Sequence, residues 1–186
     1  GTGGSTDDTS WIVQIQLPTE DQAVKMLLST AGVHADQPAP LEALELVKFC
    51  NMLPLAISIA GQLVKDLELD ASSDWDGIVA LMKEEYADGS RRSVEDTVIL
   101  TSLKSITGTH TENVMMLFKS LALCPEDTVV PLGMLAMLFQ AGASTEAKPV
   151  KRPSIMMIRR WLKILIDRSL VLGTVDRMSL VSERLL

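Results

Sequence analysis

The chain has 186 residues, of which 47% are apolar and only 4% aromatic, so it is long enough and apolar enough to fold around a substantial core. Its formal charge of −7 argues against general affinity for nucleic acid or for an anionic membrane. Cys50 and Cys124 sit in apolar runs with no CxxC or histidine-paired spacing, which argues against a disulfide framework or a metal site and points to buried thiols in a reducing compartment.

Residues 1–10 are rich in Gly, Ser, Thr and Asp and read as a loop; Gly1-Thr2-Gly3-Gly4 lacks the Gly-Lys-Ser/Thr that a phosphate loop needs. Trp11, Val13, Ile15 and Leu17 then alternate with Ile12, Gln14 and Gln16, a strand pattern whose sheet partners are expected outside this chain. Pro18-Thr19 opens a helix, with Thr19 and Gln22 at capping-box spacing and a stop at Gly32. Pro40 opens a second through Leu41, Leu44, Val47 and Cys50, and a third runs from Pro54 to Leu67. A fourth runs from Ser73 through Trp75, Ile78, Val79 and Met82 to Asp88-Gly89. Four helices with short links predict a compact four-helix bundle.

The segment Asp88-Gly89-Ser90-Arg91-Arg92 is the clearest boundary. Beyond it Ser93 caps a helix carrying Val94, Val98, Leu103 and Ile106, and Val114, Leu117, Phe118, Leu121 and Ala122 mark another that Pro125 stops. Pro131 is expected at the first position of an almost wholly apolar helix reaching Phe139, buried on most sides. A loop over 141–153 leads to a helix with Ile155, Ile158, Leu162, Leu165 and Ile166 inside and Arg159, Arg160 and Lys163 outside. Leu170-Val171-Leu172, a turn around Gly173 to Arg177, and Met178 to Val181 then read as a β-hairpin. Helices closed by one terminal hairpin describe a winged-helix-like domain, so the fold class expected is mainly α. The longest apolar run, Met52 to Val64, is too short to cross a membrane, and a soluble cytoplasmic protein is expected.

His34 and His110 have no Cys or Ser motif beside them, and the pairs Glu42/Glu45 and Glu84/Glu85 fall on polar helix faces. No HExxH or calcium-loop pattern occurs, so no catalytic residue and no metal ligand is expected. The charge is uneven. Before Lys48 the only cation is Lys25, whereas from Lys148 to Arg168 only Asp167 opposes Lys148, Lys151, Arg152, Arg159, Arg160, Lys163 and Arg168. Such a division suits contacts between parts of a protein, and a cationic helix beside a hairpin is also what a DNA-binding winged helix presents.

The run LEALELVKFCNMLPLAISIAGQLV, together with the preceding EDQAVKMLLSTAG, resembles the part of NB-ARC proteins that follows their nucleotide-binding core. These are regulatory ATPases of the STAND class, found in plant immune receptors, apoptosome proteins and bacterial signalling proteins. Their Cys-x-Gly-Leu-Pro-Leu-Ala segment is matched by Cys50, Leu53, Pro54, Leu55 and Ala56, with Met52 in place of the glycine. The stretches NVMMLFKSLALCPEDTVVPLGMLAML and LKILIDRSLVL are similar to the winged-helix part of the family.

The resemblance implies a division into 1–17, the remnant of a nucleotide-binding domain; 18–88, a helical subdomain; and 89–186, a winged-helix-like subdomain hinged near Gly89. It implies ADP/ATP as the ligand, with Leu53, Pro54 and Leu55 as nucleotide contacts. The family's Met-His-Asp triplet falls on Val181-Ser182-Glu183, so Ser182 stands where a histidine would approach the β-phosphate. Walker A and B residues would precede residue 1, so the chain is expected to be a regulatory fragment and not itself an enzyme. Its partners would be that upstream core, a downstream repeat or sensor domain, and other proteins, with neither nucleic acid nor membrane among them. The alternatives are a DNA-binding winged helix and a helical protein-interaction adaptor that uses no nucleotide.

Overall fold

Apolar residues spaced by three and four fold into eight α-helices among the described residues, and three short strands pair into one sheet. The computed structural model describes residues 16–34, 37–68, 75–88, 93–125, 128–143, 150–176 and 179–185, with 180–185 described by their backbone alone. The chain is mainly helical. The expected strand from Trp11 to Leu17 lies outside the described residues except for Gln16 and Leu17, which belong to no strand.

The first helix, α1 (Glu20–Ala31), starts at a reciprocal cap: Gln22 N–H donates to Thr19 Oγ1 at 3.4 Å, and Thr19 N–H donates to Gln22 Oε1 at 2.9 Å. It ends at Gly32, whose φ of 76° suits a residue without a Cβ. Helices α2 (Leu41–Phe49), α3 (Pro54–Asp66) and α4 (Asp76–Asp88) follow; α3 is the most enclosed and packs closely on α1. At their crossing stands Gly61, where a Cβ would lie 2.8 Å from Thr30 Cβ and 2.9 Å from the Leu27 carbonyl oxygen. Trp75, ahead of α4, is fully buried in the core. Lys48–Glu20 and Lys83–Glu45 join the elements at the surface, where such pairs contribute little.

Helix α5 (Val94–Lys104) packs on both α3 and α4. Ser93 and Asp96 form its capping box. Its inner face differs from the expected one: Thr97, Thr101 and Ser102 are buried beside Val98 and Leu103. Each threonine hydroxyl donates to the carbonyl four residues back, Thr97 to Ser93 at 3.0 Å and Thr101 to Thr97 at 2.9 Å, so burial leaves neither unsatisfied.

Helix α6 (Thr111–Leu121) is followed by strand β1 (Val129–Pro131), helix α7 (Leu132–Ala143), helix α8 (Ile155–Asp167) and strands β2 (Val171–Val175) and β3 (Ser179–Leu185). The sheet order is β1-β3-β2, with both pairings antiparallel. Three features correct the sequence expectation. Pro131 is the last residue of a strand opposite Ser179 and the helix begins at Leu132; β1 is a sheet edge, where a proline's missing donor is tolerated. Helix α7 buries one stripe, Leu132, Leu135, Ala136 and Phe139, and leaves Met137 52% exposed, because α6 and α8 cover only one side. Gly173 forms no turn: with φ of 146° it sits at a bulge between Leu172 and Gly173, and β2 continues to Val175. The chain reverses after Asp176, whose Oδ1 accepts from the Ser179 N–H at 2.8 Å and hydroxyl at 2.9 Å.

Buried apolar side chains from Ala23 in α1 to Val171 in β2 form one continuous cluster. No helix among the described residues is long and apolar enough to cross a membrane.

Candidate functional site

The turn joining α2 to α3 is built from backbone geometry. Cys50 N–H donates to Leu46 O at 3.0 Å, Asn51 N–H to Lys48 O at 3.0 Å and Met52 N–H to Val47 O at 3.3 Å, which closes the end of α2. Asn51 and Met52 take φ of 51° and 59°, so two side-chain-bearing residues in succession hold the left-handed conformation. Leu53 then returns to an extended conformation, and its carbonyl accepts the Ile57 N–H at 3.0 Å to begin α3. Pro54 falls in the first turn of that helix, where its missing donor breaks no intrahelical bond.

Pro54 is exposed, and Leu53 and Leu55 on either side are half-buried against the core. The start of α3 also differs in charge from those of α1 and α5. Those two carry capping boxes and acidic first turns, Glu20 and Asp21 in one and Glu95 and Asp96 in the other. The start of α3 has no side-chain cap and no acid in its first turn, so its positive end is uncompensated from within. Beneath it Cys50 is fully buried, and burial pushes its thiol up to about 12. Burial also raises the Cys124 thiol.

Ser182 lies on β3, where its backbone pairs with the bulged Gly173 of β2. The four expected contact residues are therefore carried by two separate elements: Leu53, Pro54 and Leu55 at the start of α3, and Ser182 in the middle strand of the sheet. The proposed hinge at Gly89 lies outside the described residues.

A polar cluster joins α3 to the ends of α5 and α8. Arg168, the residue that ends α8, places Nη2 3.1 Å from Asp66 Oδ2 at the end of α3. Its Nη1 donates to the Ser105 hydroxyl at 2.6 Å and to the Ser102 carbonyl at 3.1 Å, both at the end of α5. The next residue, Ser169, has φ of 56°, and its hydroxyl accepts from Ser58 Oγ of α3 at 3.1 Å. A planar guanidinium can hold carboxylate, hydroxyl and carbonyl at once, which an ammonium cannot match in geometry. Sequence reading missed this cluster; Arg168-Ser169-Leu170 stood out there only through the family resemblance, and the signal was an arginine placed where α8 stops against buried Leu170.

Two cations of α8, and Arg152 ahead of it, bond locally. Lys163 pairs with Asp167 at 2.7 Å, Arg159 Nη2 donates to the Asp176 carbonyl at 2.6 Å, and Arg152 Nη2 donates to the Gly133 carbonyl at 2.8 Å. Between this face and β2 runs an open cleft of about 690 Å³, lined among others by Met156, Arg160 and Val175. A second, of about 570 Å³, lies between α1 and α2 beside Val24 and Leu41. Neither cleft includes the Pro54 turn.

His34 is exposed, and His110 precedes α6 with its ring centroid 6.2 Å from that of Trp161. Among the described residues no group of His, Cys, Asp and Glu is placed to hold a metal ion. Comparison with protein-family models and with curated proteins finds no match for this chain.

Proposed function

We propose that this chain is the regulatory part of an NB-ARC type ADP/ATP switch, contributing contacts to ADP and helping to hold the closed state. The observation that carries the reading is the Leu53-Pro54-Leu55 turn. Two left-handed residues bring the chain round so that an exposed proline and an uncapped positive helix end face outward together. An apolar ring edge beside an electropositive helix start suits an adenine nucleotide, whose base is apolar and whose phosphates are anionic.

On this reading α1 to α4 are the four-helix bundle of the helical subdomain, 18–88, and α5 through β3 are the winged-helix-like subdomain, 89–186, with β2 and β3 as the wing. Ser182 offers a hydroxyl to phosphate where the family has histidine, a weaker donor than a charged one. ADP would favour the arrangement in which Pro54 and Ser182 both reach it. Exchange for ATP opens the molecule only through a difference in affinity between the two arrangements. The nucleotide-binding core, a downstream sensor or repeat domain and a cytoplasmic setting belong to the same proposal.

The test is ADP affinity in a protein that also carries the upstream core. Pro54→Ala and Ser182→Ala should each weaken ADP binding, and unchanged binding in both would sink the assignment. The DNA-binding alternative draws on the cleft between α8 and β2, where Arg159, Arg160 and Lys163 line one wall. It requires affinity for random duplex that falls steeply with salt. The bond of Arg159 to the Asp176 carbonyl counts against it.

A further inference from the structure

Helix α3 carries the candidate nucleotide contact at its start and the Asp66–Arg168 pair of the polar cluster at its end. Pro54 opens the helix and Asp66 closes it, about 18 Å apart at the usual rise per residue. Ser58, between them, bonds to Ser169. On the other side of the cluster, β2 begins at Val171 directly after Ser169 and Leu170, and its Gly173 pairs with Ser182. Each candidate nucleotide contact is thus tied to Arg168 through regular hydrogen-bonded structure, Pro54 through the body of α3 and Ser182 through the pairing of β2 with β3.

We propose that Arg168 is a positioning residue for the nucleotide: its grip on Asp66, Ser102 and Ser105 sets how the element bearing Ser182 sits relative to the helix bearing Pro54. It thereby sets ADP affinity without touching ADP. This rests on the switch reading above. Three observations support it. Arg168 joins the ends of three helices, α3, α5 and α8, in one side chain. Its side chain is only 15% exposed and that of Asp66 26%, so solvent screens the pair far less than the surface pairs. Its neighbour Ser169 holds a left-handed φ of 56° while bonded to Ser58, so the chain is fixed at this point by backbone and side chain together.

The experiment measures ADP and ATP affinity in the full-length protein carrying the nucleotide-binding core, for the natural sequence and for Arg168→Met, Arg168→Lys and Asp66→Asn. Arg168→Met and Asp66→Asn should weaken ADP on the order of tenfold, the size of an ordinary coupling between sites. ATP should change less, so that the ADP/ATP affinity ratio moves. Arg168→Lys, which keeps the charge and loses the fork, should fall between. Asp66→Asn preserves shape, so it remains informative if Arg168→Met folds poorly. An unchanged ratio, whether both nucleotides weaken alike or neither does, overturns the positioning role. If the natural sequence binds neither nucleotide, the switch reading fails and takes this role with it; loss of the ratio effect in a protein that does bind ADP removes the role of Arg168 alone.

Discussion

Asn51 and Met52 carry left-handed φ of 51° and 59°, a conformation that costs a residue with a Cβ roughly 1–2 kcal/mol, least for asparagine, whose short polar side chain bonds locally. Asn51 is exposed, so replacing it alters the backbone preference and little else. Asn51→Val should lower stability by about 1–2 kcal/mol in urea denaturation, and Asn51→Gly should lower it not at all. Cys50, one residue earlier, makes stability depend on pH. Its thiol ionises near 9.0 when unfolded and near 12 when buried, so above pH 9 the unfolded chain releases a proton that the folded chain keeps. The contribution is complete below pH 9 and is lost as pH rises towards 12. Between pH 8 and about pH 10.5 the natural protein should therefore lose roughly 2 kcal/mol more than Cys50→Ala, read from denaturation midpoints at the two pH values.

At the scale of elements, the close crossing of α1 and α3 depends on Gly61. In Gly61→Ala the new methyl meets the Leu27 carbonyl, which belongs to backbone and cannot swing aside, so the helices must separate. A loss of about 1–3 kcal/mol is expected, seen as a lower urea midpoint at unchanged slope. The helices were legible in the sequence because their starts are local events: Thr19 with Gln22, Pro40, Pro54 and Ser93 announce them within a few residues. Strand β1 was not legible, since Val129 to Pro131 is too short for periodicity and exists because β3, far along the chain, pairs with it. The buried hydroxyls of Thr97 and Thr101 were likewise hidden, because residue type reads as polar while the bond to the preceding turn does not appear in any pattern. Of the candidate site, Pro54 announced itself by breaking an apolar run. The left-handed turn before it showed only as a methionine in a glycine's place, and Gly173 was read as a turn when it serves a bulge.

For the whole molecule, the cohesion between α3, α5 and α8 is partly ionic, and its strength is measurable. A double-mutant cycle on Asp66→Ala and Arg168→Ala should give a coupling of about 1–3 kcal/mol, since both lie in one hydrogen-bonded network. Raising the salt concentration should leave most of that coupling in place, whereas Lys163 and Asp167, 74% and 53% exposed, should show almost none at any salt. The sheet has a different dependence, one set by the order in which the chain is made. Among the described residues strands β1 and β2 pair only with β3, and β3 is the last of the three to leave the ribosome. Until then α6, α7 and α8 have been synthesised around two unpaired edges, while α1 to α4 already have one another. Deleting Ser179–Leu185 would remove the middle of the sheet and leave both remaining strands open to other chains, so that deletion should appear as aggregation of the newly made protein.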